Sequence, residues 1–132
     1  MSPDLTDDHY CFACGSENEL GLCIDWKGEG KKTFAEFIPE KKFQGWKGIV
    51  HGGILATLLD EAMTRLAWIA CGGALTAEIT VRYLKTASIG EKLLITGEIV
   101  EESRKLVLMK AAIHTAGSKE LIARSTGKAV KI

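Results

Sequence analysis

The feature that most constrains the fold is a change of hydrophobic period at residues 72–73. From Gly53 to about Cys71, apolar residues recur with the spacing of one helix face, and Gly72-Gly73 then marks the helix end. Beyond the glycines the period falls to about two, which is typical of β-strands. One long apolar helix must therefore pack against a sheet. The predicted core face of the helix comprises Leu55, Leu58, Leu59, Ala62, Leu66 and Ile69.

Six strands are expected around this helix. Two short ones, Leu20–Trp26 and Lys32–Ile38, are joined by the glycine-bearing turn KGEGK. Because a helix that is apolar over most of its circumference needs cover on most sides, we expect an α+β fold. A curved antiparallel sheet of five to six strands would then wrap the central helix. The four long strands, with short polar connections, are predicted to form a meander: Leu75–Leu84, Lys92–Val100, Lys105–Thr115 and Leu121–Lys131.

Length and charge narrow the class of protein. A chain of 132 residues is expected to form one domain over residues 1–132, with a polar lead-in at residues 1–20. Seventeen basic and seventeen acidic residues cancel, so no net positive field attracts nucleic acid or an anionic membrane. No stretch is typical of an export signal, and no apolar run approaches the roughly 20 residues that cross a bilayer. We therefore expect a cytosolic protein without nucleic-acid or membrane partners.

Two adjacent acids lie inside the predicted helix. At about 100° per residue, Asp60 shares a narrow stripe with Thr57 and Thr64, whereas Glu61 points away from that stripe. Glu61 precedes Arg65 by four residues, which predicts an intrahelical ion pair. Asp60 has no such partner along the helix. It is either a structural acid bonded to threonines or to another subunit, or a functional group.

The start of the helix favours the functional interpretation of Asp60. Gly52-Gly53 lets a ligand approach the backbone closely, and the unpaired N–H groups at a helix start suit a developing oxyanion. His51 is a candidate donor; the alternative is a loop histidine bonded to the backbone. Oxyanion donors at one end and a carboxylate two turns later are what acyl-group hydrolysis requires. The sequence therefore predicts that the oxyanion donors and the carboxylate of Asp60 lie on the side of the helix where one ligand would bind.

The segment FQGWKGIVHGGILATLLDEAM at residues 43–63 resembles a known signature. It is that of hotdog-fold acyl-CoA thioesterases of the phenylacetate-pathway and human thioesterase-superfamily-member type. The following strand, TAEITVRYLKTASIGE, is similar too, and CFACGSENELGL resembles the start of one subgroup. The resemblance covers roughly residues 10–130. It implies the hotdog fold and hydrolysis of an acyl-CoA thioester at a site shared by two subunits.

The resemblance also implies roles for individual residues. Asp60, nine residues after His51, corresponds to the catalytic carboxylate, and Gly52 to the oxyanion donor, with Gly53 supporting the turn. Thr76 corresponds to a hydroxyl contributed by the other subunit. Whether Asp60 acts as a base or as a nucleophile stays open.

One position departs from the family pattern. Some members have an asparagine six residues before the histidine, where this chain has Gly45 with Gln44 beside it. The group that would position a water is therefore not assigned by the resemblance.

Further substrate contacts are weaker predictions. Basic side chains on the predicted strands, Arg82 and Lys85 first among them, are candidates for the phosphates of coenzyme A, although ordinary solvated strand faces explain them as well. Trp46 would line an acyl pocket or fill a subunit interface. A homodimer or a dimer of dimers is the expected assembly.

The N-terminal cysteines raise the question of a metal. His9, Cys11, Cys14 and Cys23 offer four zinc ligand types, but a second CxxC pair is missing and a packed turn is the favoured interpretation. We therefore assign no metal and no cofactor. The alternatives to a thioesterase are a non-catalytic acyl-CoA-binding hotdog protein, a hotdog hydratase or dehydratase, and a zinc-held interaction module.

Overall fold

One 20-residue helix lies against an antiparallel sheet of six strands. The computed structural model describes residues 5–132, so the first four residues of the predicted lead-in lie outside the described part. A short 3₁₀ turn at Lys41–Phe43 precedes the helix. The helix α1 is Gly52–Cys71, and the strands are β1 Lys27–Glu29, β2 Lys32–Phe37, β3 Ala74–Tyr83, β4 Leu93–Glu102, β5 Leu106–Thr115 and β6 Leu121–Lys131.

The strands are ordered β1-β2-β4-β5-β6-β3 across the sheet. The predicted four-stranded meander is wrong in one respect, because β3 pairs with β6 at the far edge instead of with β4. Residues 84–92 form a crossover and not a hairpin. In this crossover the Ala87 oxygen accepts from the Val50 amide, and the Ile89 amide donates to Gly48. The connection therefore fixes the loop that leads into α1.

The boundaries of α1 agree with the prediction to within one residue. Gly72 adopts a left-handed conformation (φ 75°) and its amide bonds to the Trp68 oxygen, which ends the helix. Ile69 is wrong as a core residue: it is 64% exposed, although it shares a wheel position with the fully buried Leu58. The last turn of α1 therefore extends beyond the cover of the sheet. Within residues 5–132, no helix has both the length and the apolar character needed to span a membrane.

Helix and sheet approach each other closely at Gly97 in β4. A Cβ atom at Gly97 would lie 2.7 Å from the Ala62 carbonyl oxygen, so only glycine fits there without a shift. Each large side chain fully buried around this contact contributes about 1.5–3 kcal/mol to stability. The buried side chains of the sheet that face α1 include Leu93, Ile95, Val107, Met109, Ile113 and Ile122.

The segment before β1 differs from its prediction. Leu22, Ile24 and Trp26 are buried, but the strand itself starts only at Lys27. The amides of Leu22 and Ile24 bond instead to the carbonyl oxygens of Phe12 and Ala13. The predicted strand Leu20–Trp26 is therefore an irregular segment, with Cys23 at φ 50°, that pairs with the lead-in and not with the sheet.

Candidate active site

The carboxylate of Asp60 lies half-buried between α1 and the start of β3. The Thr76 hydroxyl donates to its Oδ1 at 2.8 Å, and the Thr64 hydroxyl lies 3.1 Å from the same atom. The two hydroxyls are themselves 2.9 Å apart. In the described part of the chain, nothing donates to Oδ2. One carboxylate oxygen is therefore held in place while the other is free to accept a proton or attack a substrate.

Thr76 reaches this carboxylate from the same chain. That a second subunit contributes such a hydroxyl stays a prediction, whereas Thr76 bonds to Asp60 of its own protomer. β3 follows α1 directly, and the pairing of β3 with β6 shifts register between Thr76 and Glu78. This irregularity accompanies the turn of Thr76 toward the helix, where it meets Asp60.

His51 is the N-cap of α1. Its Nδ1 accepts a hydrogen bond from the Gly53 amide at 2.8 Å, so in this tautomer the ring proton is on Nε2. The histidine therefore bonds to the backbone, as one of the two interpretations expected, and its role as a donor to a ligand stays a prediction. A Cβ atom at Gly53 would lie 3.1 Å from the same nitrogen, which explains why glycine follows the cap so closely.

The amide of Gly52 has no partner within residues 5–132, whereas its carbonyl oxygen is bonded. The Tyr83 hydroxyl, at the end of β3, donates to that oxygen at 2.8 Å. Sequence reasoning missed Tyr83, since nothing in the strand pattern indicates that its hydroxyl reaches the helix start. The bond holds the peptide between Gly52 and Gly53, which directly follows the free Gly52 N–H.

The free amide and the carboxylate cannot serve one substrate carbonyl within a single chain. Eight residues of α-helix separate Gly52 from Asp60, which is about 12 Å along the axis. A carbonyl group with one contact of about 3 Å at each end spans only about 7 Å. Within one protomer the two groups therefore do not reach the same carbonyl, and their meeting at one ligand stays a prediction.

The loop before the helix positions two other predicted residues. The side-chain Oε1 of Gln44 accepts a hydrogen bond from the Gly48 amide at 2.9 Å, so this side chain closes the loop. Gly45, at the position of the family asparagine, lies against the His51 ring. Trp46 is 84% exposed at the tip of the loop, which is an unusual position for a tryptophan that has no partner surface.

The basic candidates lie away from Asp60. Arg82 lines a cavity of about 940 Å³ together with Arg124, its direct neighbour on β6. Neither Asp60 nor Gly52 lines that cavity. Lys85 forms an ion pair with Glu120 at 3.0 Å. These two candidates are therefore not part of the geometry around the carboxylate.

Glu61 has an environment that the sequence did not predict. The expected ion pair with Arg65 does not form within residues 5–132. Instead, the carboxylate lies with the Cys11 and Cys14 thiols, all three ligand atoms within 4.8 Å of one another. Burial first, and then the hydrogen bond and charge of Glu61, raise the pKa of the Cys14 thiol well above its usual range.

Most residues of this site lie within a segment that matches a known protein family. The family model described as Thioesterase superfamily matches residues 47–122, which is more than half of the chain and contains the helix start, Asp60 and Thr76. The chain belongs to the thioesterase superfamily. The family resemblance predicted from residues 43–63 is thereby confirmed.

Curated relatives in the thioesterase superfamily are distant. Human "Acyl-coenzyme A thioesterase THEM5" is 24% identical over 116 residues, which is 80% of this chain and 47% of the relative. Mouse "Acyl-coenzyme A thioesterase 13" is 28% identical over 96 residues, covering 71% of this chain and 69% of the relative. This chain spans about half the length of the THEM5 and THEM4 relatives that it matches.

Solved structures of thioesterase-superfamily proteins share the fold. Zebra fish thioesterase superfamily member 2 superimposes with a TM-score of 0.80 at 22% identity and 90% coverage of both chains. A Streptococcus mutans UA159 protein, solved bound to acetyl CoA, gives a TM-score of 0.76 at 25% identity, with 83% and 88% coverage. The hotdog fold, with its long helix against a curved antiparallel sheet, is thereby confirmed.

Proposed function

We propose that this protein hydrolyses acyl-CoA thioesters to a free acid and coenzyme A, with Asp60 as the reacting carboxylate. One observation supports the proposal above all: threonine hydroxyls hold Oδ1 of Asp60, and its Oδ2 accepts no hydrogen bond within residues 5–132. Family membership supports the reaction class, since human and mouse relatives are named acyl-coenzyme A thioesterases. A structural acid would gain nothing from a free oxygen beside a threonine pair.

The helix start supplies the electrostatic half of this chemistry. The free Gly52 amide and the positive end of the α1 dipole suit the negative charge that grows on a thioester oxygen. The Nε2 proton of His51 is a second donor at the same end. Because these donors are fixed before the substrate arrives, they stabilise the transition state more than the ground state.

Two copies of the chain would complete one site. β3 is an edge strand of ten residues, and large apolar side chains are exposed on or near it, among them Leu75, Tyr83 and Trp46. Pairing two β3 edges about a two-fold axis runs the two helices in opposite directions. The helix start of one copy then approaches Asp60 of the other, which removes the separation of about 12 Å found within one chain.

The reaction balances without a cofactor. Asp60 either takes a proton from water, whose oxygen bonds to the acyl carbon, or attacks that carbon itself to form an anhydride that water then cleaves. In both routes the carbon–sulfur bond breaks and the coenzyme A sulfur ends as a thiol or thiolate. Both routes need the oxygen that Thr76 leaves free.

Thiol release from a panel of short, long and aryl acyl-CoA esters tests the reaction. We expect turnover by the wild-type chain with at least one class of ester. Asp60→Asn keeps the shape and the Thr76 hydrogen bond but should abolish most turnover. Binding of acyl-CoA without thiol release by the wild-type chain would overturn the proposal and favour the non-catalytic binding protein.

A mixing experiment tests the shared site. Gly52→Pro removes the free amide at the first helical position, which proline tolerates, and Gly52→Ala is the matched control that keeps it. Neither Gly52→Pro nor Asp60→Asn alone should turn over substrate. Co-expressed in equal amounts, they should recover about a quarter of wild-type activity, because half of the two-fold dimers then hold one intact site. No recovery would contradict a site built from two copies.

A further inference from the structure

The cluster that the proposed function leaves unused consists of Cys11, Cys14 and Glu61. The two thiols come from the lead-in and the carboxylate from the third turn of α1, yet the three ligand atoms lie within 4.8 Å of one another. Two sulfur atoms and one carboxylate oxygen are a donor set that zinc prefers. Calcium and magnesium, by contrast, take oxygen ligands.

We infer that Cys11, Cys14 and Glu61 form a zinc-binding site that joins the N-terminal lead-in to α1. With zinc–sulfur bonds of about 2.3 Å and a zinc–oxygen bond of about 2.1 Å, tetrahedral ligand atoms lie about 3.5–3.8 Å apart. Side-chain rotations that move the ligand atoms by about 1 Å would therefore bring all three within bonding distance of one zinc ion. A water would take the fourth position, as in other zinc sites with three protein ligands.

The backbone around the two cysteines is already fixed. The Gly15 amide donates to the Cys11 oxygen at 2.8 Å, which closes the turn that carries both thiols. The residues between them, Phe12 and Ala13, accept from the amides of Leu22 and Ile24 at 2.8 and 2.9 Å. Ala13 is also buried. Zinc would therefore bind a preformed turn, and little ordering entropy opposes it.

The charge balance favours a cation. Glu61 forms no ion pair within residues 5–132, and Arg65, the side chain expected to neutralise it, lies elsewhere. On binding, each thiol releases one proton to water and forms one zinc–sulfur bond, and the Glu61 carboxylate forms one zinc–oxygen bond. No oxidant or reductant takes part.

The other two residues of the predicted ligand set are excluded by their positions. His9 is exposed, and its ring lies 3.8 Å from the Asp7 carboxylate. The Cys23 thiol lies 3.5 and 3.8 Å from the carbonyl oxygens of Asn18 and Gly15. The sequence favoured a packed turn without a metal, and the inferred site keeps two of the four residues considered there and adds Glu61.

Metal content tests the inference directly and does not depend on turnover. The full chain is purified with a reductant, loaded with zinc chloride, desalted and analysed for zinc by mass spectrometry. We expect about one zinc per chain. Cobalt in its place should give the thiolate charge-transfer absorption and the strong visible bands of a tetrahedral site. Less than a tenth of an equivalent of zinc, or octahedral cobalt, would overturn the inference.

Matched variants identify the ligands. Cys11→Ser and Cys14→Ser should lose zinc, and Glu61→Gln should weaken its binding at least tenfold in a chelator competition. Cys23→Ser and His9→Asn are the controls and should keep one zinc. Loss of zinc in either control, or unchanged affinity in Glu61→Gln, would reject this ligand set.

Thermal unfolding separates loss of ligands from loss of fold. Zinc should raise the Tm of the wild-type chain and of Cys23→Ser but leave that of Cys14→Ser unchanged. The far-ultraviolet spectrum of each variant without zinc shows whether the fold is intact. If the wild-type Tm does not respond to zinc, the inference fails whatever the variants do.

Discussion

Asp60 and Glu61 are adjacent acids on one helix, and the structure gives them opposite surroundings. Asp60 faces two threonine hydroxyls that hold one oxygen and leave the other free. Glu61, about 100° around the helix, faces two thiols from the lead-in. Of these groups only Thr64 belongs to the helix itself, whereas Thr76 and the two thiols come from other elements. The elements packed against a helix therefore contribute, together with its own sequence, to what each of its acids can do.

The largest expected effect is the loss of turnover when Asp60, but not Glu61, is replaced by its amide. Asp60→Asn should lower kcat for acyl-CoA hydrolysis by about a hundredfold to ten-thousandfold, because the amide cannot accept a proton or attack. Glu61→Gln should lower it by less than about tenfold, because that side chain points at the thiols and not at the Thr76 hydroxyl. Steady-state thiol release on both variants makes the measurement.

Thermal unfolding of Asp60→Asn and Glu61→Gln is the control for this comparison. Both substitutions conserve shape, so each variant should unfold cooperatively. Equal losses of kcat in two well-folded variants would break the distinction between the acids.

The second prediction concerns the face of the helix that orients both acids. Leu58→Ala removes a fully buried side chain and should lower the free energy of unfolding by about 2–5 kcal/mol. Ile69→Ala, near the same wheel position but exposed, should change it by less than about 0.5 kcal/mol. Urea unfolding measures both. A similar cost for the two would mean that the last turn is covered in solution, as a subunit interface would cover it.

The local features of the fold could be predicted from the sequence. Hydrophobic period placed α1 within one residue and the last strand, Leu121–Lys131, without error, because each pattern reflects one buried face. The order of strands could not be predicted in the same way. Pairing of β3 with β6 depends on a crossover whose hydrogen bonds go to the loop before the helix.

The candidate site was predictable only in part, for the same reason. The family signature named Asp60, Gly52 and Thr76, but it could not show that Thr76 bonds to Asp60 of its own chain. Tyr83 was missed because its contact with Gly52 crosses elements far apart in sequence. Contacts of this kind have no periodic signal.

The third prediction tests how the free oxygen of Asp60 is kept free. Thr76→Val keeps the shape of the side chain but removes the hydroxyl that donates to Oδ1, so the carboxylate can rotate. We expect kcat to fall by about tenfold with KM little changed, because one hydrogen bond to a charged carboxylate contributes about 1.5 kcal/mol. Thr76→Ser should restore most of the activity. Failure of the serine variant to do so would indicate that the methyl group matters and not the hydroxyl.

The smallest expected effect is on stability and comes from Glu98, an exposed acid that serves as the reference for Asp60 and Glu61. Glu98 is exposed on β4, and the hydrogen bond and charge of Lys110, at 2.9 Å, lower the pKa of its carboxyl. A depressed pKa stabilises the fold above the ordinary value near 4.5, and this contribution disappears as the pH falls through the folded value. Because water and salt screen the pair, Glu98→Gln should shift Tm at pH 7 by about one degree or less. The difference from wild type should shrink as the pH falls below 4.5, or in molar salt, and thermal scans under these conditions measure it. A Tm shift at pH 7 as large as that of a core substitution would mean that exposed acids on this fold stabilise it through more than their ion pairs. The contrast between Asp60 and Glu61 could then no longer be explained by their direct contacts alone.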